Sequence, residues 1–491
     1  MKKLYFLLCL ITLNFQAQNL GSLDTSFGIN GMTEYLYSAP SKGYYNYGMQ
    51  ITPTNKIISA GRSTWGCTNN SSYEYFFVRF NLDGTPDSTF GVNGAQSLSN
   101  AQPYDIQKLQ NSNNYYYRSG AMLKKIDENG LIDPNFSYAV PNSNFFMYAE
   151  TPTDDIIVVR RGPQNPYPVI DKINSNGTIN TSFGVSGTIS FPQLNNCFIE
   201  QIIMDSSGNY YFVGRIQNIN SSSNYHVIVI KTDQNGNLIT TFANNGIYNS
   251  TYLLPSSQSE YYPINAHTTN DNGIIIISRA SQLRMEKLTD TGQLSTSFSN
   301  GIKVTPSFFS STFIFDNKLY LFNGSSYNGS GYSLTRYNLD GNLDSSYNNQ
   351  GSISFPAYTI LATRSQANIQ DGKIVIAENV ENYYCAQLNW KLIMKRYYFD
   401  SAALSTSEMS HNDIITYPNP VNNYLYLQHP KAKKIFLIEI YSTDGKLIRK
   451  FLNPNRYGDA YKIYLGDIQA GNYFLKVTNE SQTFRTKIIK K

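Results

Sequence analysis

The sequence predicts an all-β protein: a seven-bladed β-propeller of four-stranded antiparallel blades, followed by a small C-terminal Ig-like β-sandwich. The first observation is a pattern, complete at Arg79–Leu98, that recurs along most of the chain. The second is composition, because Tyr, Asn, Ser, Thr and Gly abound while long Ala, Leu, Glu and Lys runs are absent. This mixture suits short strands and tight turns better than helices. At 491 residues the chain is too long for one core, so the recurrence indicates an array.

Each copy of the pattern joins an Asp-Gly or Asn-Gly pair, an anchor aromatic residue and a second glycine. The glycine pairs tolerate the positive φ that tight reversals require. The anchors recur at intervals of roughly 45–63 residues, and we expect each to plug the gap between adjacent sheets. They are Phe27, Phe90, Phe136, Phe183, Phe242, Phe298 and Tyr347.

Four strands are predicted in each unit. In the first unit they are Met32–Ser38, Tyr47–Thr52, Lys56–Arg62 and Glu74–Asn81. The third strand is nearly continuously apolar or aromatic, which is typical of a strand that is buried on both faces. Its seven copies begin at Lys56, Asn114, Asp155, Asn209, Gly273, Lys318 and Lys373.

The two ends of the array indicate a closed ring. The segment Leu23–Gly28 has no strand before it, and the last strand, Trp390–Asp400, has no intact copy of the pattern after it. We therefore expect the first segment to complete the last unit, which would remove exposed sheet edges. An open solenoid of β-sheets is the alternative.

Charge and cysteine content restrict the classes of function. Asp413–Lys491 carries 13 Lys and Arg against 6 Asp and Glu, and the preceding residues carry 26 against 28. The main body is therefore mildly acidic, which argues against nucleic-acid binding. Cys67, Cys197 and Cys385 lie in different units, and their pairing stays open. No zinc-binding spacing occurs, and no cofactor or metal is predicted.

The chain is predicted to be exported and to have four parts. Residues 1–18 combine Lys2 and Lys3 with a short apolar core, as a signal peptide does. Residues 19–400 form the array, residues 401–412 a polar linker and residues 413–491 the β-sandwich. No other run of 18 apolar residues occurs, so no transmembrane segment is expected in the mature protein.

The array resembles the delta-60 repeat family of secreted bacterial β-propeller-like proteins. The motifs that carry the resemblance lie in Leu23–Gly31, Arg336–Gly341 and Asp371–Ile376. The resemblance covers about Leu23 to Asp400, although the second, fifth and sixth units depart from the pattern. It implies a propeller fold and surface exposure but no specific activity.

The tail resembles the type A sorting domain of the type IX secretion system of Bacteroidetes-type bacteria. The resemblance implies recognition by the secretion machinery, export across the outer membrane and removal of the module. An accessory adhesive Ig-like domain is the alternative. The matching residues, beside the basic terminus Lys487–Lys491, are Tyr417, Pro418, Asn419, Pro420, Asp444, Gly445, Lys446, Ala470, Gly471 and Tyr473.

No catalytic motif is visible. His226 and His267 lie at strand starts in different units, where a structural role is expected to outweigh general-base catalysis. The segments Asn81–Asp87, Asp127–Asp133 and Asn338–Asp344 faintly resemble calcium loops. A cation precedes each of them at the first ligand position, so we expect turns in which Asp or Asn bonds its own backbone.

Variable segments rich in Tyr, Asn, Ser and Gly have the composition of recognition surfaces. The sequence therefore predicts a secreted or cell-surface binding or adhesion protein for a glycan or a surface protein. The alternatives are a polysaccharide-degrading enzyme and a passive surface-layer component. The candidate contacts are Tyr44, Tyr45, Tyr47, Trp65, Tyr73, Tyr261 and Tyr262.

Overall fold

The computed structural model divides the chain into two compact units, Met1–Leu404 and Ser405–Lys491. The predicted signal peptide and polar linker lie outside the described residues. Those residues are 20–35, 42–52, 54–65, 74–98, 105–108, 114–127, 129–141, 145–151, 153–162, 165–255, 264–279, 282–305, 309–324, 331–356, 362–384, 387–400, 415–428, 435–442, 447–452, 454, 456–457, 460–479 and 483–491.

The described part of the first unit forms seven antiparallel sheets of four strands each. We number the sheets by their first strands in chain order. The first is Lys42–Ile51, Ile57–Trp65, Tyr75–Phe80 and Ala95–Leu98; the second is Asp105–Lys108, Tyr115–Ser119, Met122–Ile126 and Ile132–Ala139; the third is Phe145–Glu150, Ile156–Gly162, Asn165–Ile173 and Thr188–Ser190; the fourth is Cys197–Met204, Tyr210–Asn218, Ser221–Thr232 and Ile247–Pro255. The fifth is Asn265–Thr268, Ile274–Arg279, Leu283–Leu288 and Ile302–Thr305; the sixth is Ser311–Phe315, Lys318–Asn323, Tyr332–Asn338 and Ser352–Phe355; the seventh is Ala362–Gln370, Lys373–Tyr384, Gln387–Tyr397 and Met32–Tyr35.

The strand Met32–Tyr35 closes the seventh sheet by pairing with Gln387–Tyr397. The segment Leu23–Gly28 also joins the last unit as expected, since Leu23 bridges Tyr397 and the Asp24 amide donates a hydrogen bond to the Arg396 carbonyl oxygen. The sequence predicts Met32–Ser38 as the opening strand of the first unit, and this grouping is wrong because Met32–Tyr35 belongs to the seventh sheet. The strand that follows the second glycine of each copy is the fourth strand, and thus the outer edge, of the preceding sheet. It pairs there with the third strand of that sheet.

The sheets follow one another around a ring. Apolar side chains fill the gap between every pair of neighbouring sheets, and one cluster joins Phe76 and Val78 of the first sheet to Val375 and Met394 of the seventh. In an open stack, the faces of the first and seventh sheets that carry these side chains would be uncovered. In five of the seven pairs of neighbouring sheets the first strands contact each other, which identifies the first strands as the innermost.

Six of the seven anchor aromatic residues pack on a glycine in the turn of the next sheet, whereas the hydroxyl of the seventh, Tyr347, donates a hydrogen bond to the Phe399 carbonyl oxygen. The Phe90 ring lies against Gly130, and Phe27 and Phe298 lie in the same way against Gly84 and Gly341. Each of these glycines has a φ between +82° and +86°, a backbone conformation that side chains with a Cβ rarely adopt. The pattern therefore recurs because these six anchors each pack on a flat, Cβ-free surface of the neighbouring sheet.

A Gly130→Ala change is expected to destabilise the protein by about 2–4 kcal/mol, through left-handed strain plus overpacking. A Cβ at this position would lie 2.7 Å from the Phe90 ring. Gly120, in the same sheet, also has a positive φ, but no atom lies within 4 Å of its Cβ position. Gly120→Ala should cost only about 1–2 kcal/mol. Equal shifts of the two urea-unfolding midpoints would contradict the packing argument.

The second unit is a β-sandwich of two four-stranded sheets. Leu425, Leu427 and Ile463 of one sheet share a core with Ile438 and Leu475 of the other. The predicted all-β class and propeller-like architecture are confirmed, while the predicted domain limits stay predictions. The strands are Ile415–Tyr417, Tyr424–Gln428, Ala460–Tyr464 and Arg456–Tyr457 in one sheet and Leu447–Leu452, Ile435–Ser442, Gly471–Asn479 and Thr483–Lys490 in the other.

Candidate functional site

The variable segments of the array all emerge from one face of the ring. In every sheet the first and second strands are joined at one end, and the second and third strands at the opposite end, because neighbouring strands are antiparallel. The connections that join second to third strands, and one sheet to the next, therefore share a face. We call it the loop face, and the opposite one the turn face.

The turn face carries the recurrent pattern, and its residues act structurally. The Arg79 Nε lies 2.6 Å from Asp87, and the guanidinium carbon lies 4.7 Å from the centre of the Phe90 ring. Asp83 accepts hydrogen bonds from the amide and hydroxyl of Thr85, which lower its pKa. These contacts support the expected turn and account for the cation that precedes the loop, because it pairs with Asp87.

The loop face brings three aromatic residues together where the first and seventh sheets meet. The centre of the Tyr45 ring lies 5.5 Å from that of Tyr47 and 5.1 Å from that of Trp390, both edge to face. The guanidinium carbon of Arg62 lies 5.7 Å from the centre of the Tyr45 ring. All four side chains are half-buried. We call these four residues the aromatic cluster.

The other candidate contacts lie in different surroundings. Tyr44 is fully buried, and its hydroxyl lies 2.8 Å from Ser59 Oγ. It belongs to the core between the first and seventh sheets and is not part of the exposed surface. The backbone of Trp65 ends a strand on the loop face, whereas Tyr73, Tyr261 and Tyr262 lie outside the described residues.

Arginines recur at one position of the second strands. Arg79 is the cation that precedes the Asp-Gly turn of the first sheet, and it pairs with Ile58 of the second strand. Arg62 lies four residues after Ile58 in that strand. Arg161, Arg215 and Arg279 occupy the equivalent position in the third, fourth and fifth sheets. This row is not among the residues predicted from the sequence, although the arginine is the seventh residue in four of the seven copies of the second strand.

A second cluster on the loop face surrounds Phe198. The guanidinium carbon of Arg161 lies 3.8 Å from the centre of that ring, and the carbon of Arg215 lies 5.8 Å from it. The Arg215 Nε lies 3.0 Å from Glu200. Burial raises the pKa of Glu200, although the charge of Arg215 opposes the shift. The arrangement fixes two cations beside an aromatic ring.

The two histidines of the array are held by structural contacts. Burial lowers the pKa of His267 to about 4, and its Nε2 lies 2.7 Å from the Thr312 hydroxyl. The two ring nitrogens of His226 lie 2.8 Å from the Ser250 carbonyl oxygen and 3.0 Å from Asn218 Nδ2. Within the described ranges, no group of three or more His, Cys, Asp or Glu side chains could hold a metal ion.

Three of the sorting residues, Asn419, Gly471 and Tyr473, lie against the last strand of the sandwich. Asn419 Oδ1 accepts a hydrogen bond of 2.8 Å from the Ile489 amide, and Gly471 pairs with Lys490. The Tyr473 hydroxyl donates to the Gln469 carbonyl oxygen. The sandwich thus joins separate sequence motifs to the basic terminus. Asp444, Gly445 and Lys446 lie outside the described residues.

Known families match two parts of the chain. Residues 415–491 match the secretion system C-terminal sorting domain, and residues 52–90 match a beta-propeller domain of unknown function, DUF5122. None of the curated proteins compared with the chain matches its sequence.

Several solved structures resemble the chain at low identity. A polysaccharide lyase, Uly1, has a TM-score of 0.45 and 9% identity over 77% of this chain and 96% of its own. A protein of unknown function from Bacteroides caccae has a TM-score of 0.33 and 13% identity over 61% and 93% of the two chains. A variant of the NanB sialidase from Streptococcus pneumoniae has a TM-score of 0.33 and 10% identity over 74% and 68%. Similarity of this degree does not indicate a shared activity.

The sorting domain directs export to the cell surface or the extracellular space and implies contact with the secretion machinery. No helix in the described part of the chain is long and apolar enough to cross a membrane. The chain is therefore an exported β-propeller repeat protein that ends in a type IX secretion C-terminal sorting domain.

Proposed function

We propose that the protein is a binding or adhesion module that recognises a glycan, or a surface protein, through the loop face of its propeller. The aromatic cluster of Tyr45, Tyr47, Trp390 and Arg62 carries the proposal. Its rings are half-buried, so they combine a fixed position with an accessible surface. Tyrosine and tryptophan supply large contact areas at low conformational-entropy cost.

The distribution of sequence variation supports recognition rather than a passive role. The turn face repeats one pattern, since in each copy a Lys or Arg of the third strand pairs with an acidic residue and the anchor contacts the next sheet. The connections of the loop face do not have to form these contacts. They differ in length and composition between sheets. A rigid scaffold that positions variable connections on one face is typical of binding proteins.

Degradation of a polysaccharide is the alternative, and one experiment separates it from binding. The full-length protein is applied to a glycan array, and every bound glycan is then incubated with it and analysed by mass spectrometry for released products. Binding without product supports the proposal. Release of products would contradict the proposal and favour the alternative, a polysaccharide-degrading enzyme. Absence of binding to all glycans would remove sugar recognition, and a pull-down from the surface proteins of the same bacterium would then test the protein ligand.

Trp390→Ala and Tyr45→Ala are each expected to weaken binding of a bound glycan by about tenfold or more, because truncated aromatic hot spots typically cost over 1 kcal/mol. Titration calorimetry measures the change. Val92→Ala is the control, since this exposed side chain lies on the turn face, and it should bind as the wild type does. Unchanged affinity of both aromatic variants would place the binding site elsewhere.

A further inference from the structure

One sheet of the sorting domain presents tyrosines to solvent. Along its strands, Leu425, Leu427 and Ile463 point into the core, and the alternate side chains point outward. Tyr417, Tyr424 and Tyr464 are exposed by 43%, 44% and 47%, and Tyr426 is half-buried beside them. Exposed aromatic side chains that lie next to one another commonly mark a protein interface.

The pairing of the strands turns these tyrosines into a continuous surface. Tyr417 lies opposite Tyr426, and their rings stack with centres 5.6 Å apart. Tyr424 lies opposite Tyr464, with ring centres 5.3 Å apart. The exposed Lys462 lies opposite Tyr426 in the same sheet. We call these five residues the tyrosine face.

Lys462 supplies a charge to the tyrosine face, beside Tyr424 and Tyr426. Its Nζ lies 4.1 Å from the centre of the Tyr424 ring and 5.9 Å from that of Tyr426, so the cation is positioned by two aromatic rings. Cation–π contacts of this length are attractive. Negative charge on a partner would complement Lys462, as it would the net basic composition of Asp413–Lys491.

We propose that the tyrosine face is the surface through which the sorting domain binds a carboxylate-bearing component of the type IX secretion machinery. Tyr417 belongs both to this face and to the sorting motif that continues with Pro418, Asn419 and Pro420. The motif is thereby continuous with the surface. The tyrosine rings supply contact area and hydroxyl donors, and Lys462 pairs with a carboxylate of the partner.

The test compares variants of the full-length protein expressed in a bacterium with a type IX system. We expect Tyr424→Ser combined with Tyr464→Ser to lower the extracellular fraction by about tenfold or more, with accumulation in the periplasm, as loss of two interface hot spots implies. Phe474→Ser is the matched control, since Phe474 is 47% exposed on the other sheet. It should be exported to within about twofold of the wild type.

Lys462 tests the charge separately, because its exposed side chain can be changed without disturbing the core. We expect Lys462→Glu to reduce export by about tenfold and Lys462→Arg to restore it, since like charges across an interface repel. Thermal unfolding of each variant verifies the fold. Wild-type export of both the tyrosine and the Lys462→Glu variants would overturn the proposal. An equal loss of export in Phe474→Ser would also overturn it.

Discussion

An Asp24→Ala variant is expected to lose about 3–5 kcal/mol of unfolding free energy, because the change leaves a buried cation without its counter-ion. The Nε and Nη2 atoms of Arg396 each lie 2.7 Å from Asp24 Oδ2, and Arg396 is 3% exposed. Lys373 lies 3.1 Å from the same oxygen. The pair also joins the two ends of the array, so its loss weakens ring closure.

Chemical unfolding of the full chain measures this loss. Asp83→Ala is the control, because Asp83 is an exposed turn residue that bonds Thr85 beside it. It should cost less than about 1 kcal/mol. A second variant, Asp87→Ala, removes the same type of ion pair within one sheet. If Asp24→Ala were no more destabilising than Asp83→Ala, the ion pair would not stabilise the closure.

At low pH we expect the wild type and Asp24→Ala to have nearly the same free energy of unfolding. Burial raises the pKa of Asp24, but the Ser26 hydrogen bond and the charges of Arg396 and Lys373 outweigh it and hold the pKa at about 2. The folded value lies below the ordinary value of 3.8. The stabilisation is therefore fully present above about pH 4 and is lost as the pH falls through 2. Chemical unfolding of both proteins between pH 7 and pH 2 measures how the difference between their free energies of unfolding decreases.

A chain that ends at Ser410 is expected to accumulate in the periplasm, and its surface signal should fall to that of a strain without a type IX system. The truncation removes the residues that match the sorting domain, 415–491. The apolar clusters of the array contain only residues before this point, and the sandwich has a core of its own. The array should therefore keep its core when the tail is absent.

Cell fractionation with immunoblotting measures where the shortened chain accumulates. The complementary experiment joins residues 411–491 to an unrelated periplasmic protein, which should then reach the cell surface or the medium. Unfolding of the truncated chain at the same urea concentration as the array in the full chain would exclude a folding defect. Normal surface display of the truncation would contradict the assignment of the tail.

The sequence predicted local features well, because short-range chemistry determines them. The Asp83-Gly84 turn, the Phe90 anchor and the sorting motif at Tyr417 each depend on neighbouring residues or on a repeated pattern. Strand pairing was harder, since Met32–Tyr35 joins the seventh sheet rather than the first. Alternation of side chains marks a strand, but it does not identify which strand will share its hydrogen bonds.

The sequence by itself determined the all-β class, the recurrence of the units and the exported character of the chain. Only the tertiary structure decided which side chains share a surface. Tyr45 and Trp390 lie near opposite ends of the array, and ring closure brings their rings 5.1 Å apart. Tyr44, the tyrosine that directly precedes Tyr45, is instead buried. Composition identifies residues that suit recognition, whereas the pairing and twist of strands decide which of them reach solvent.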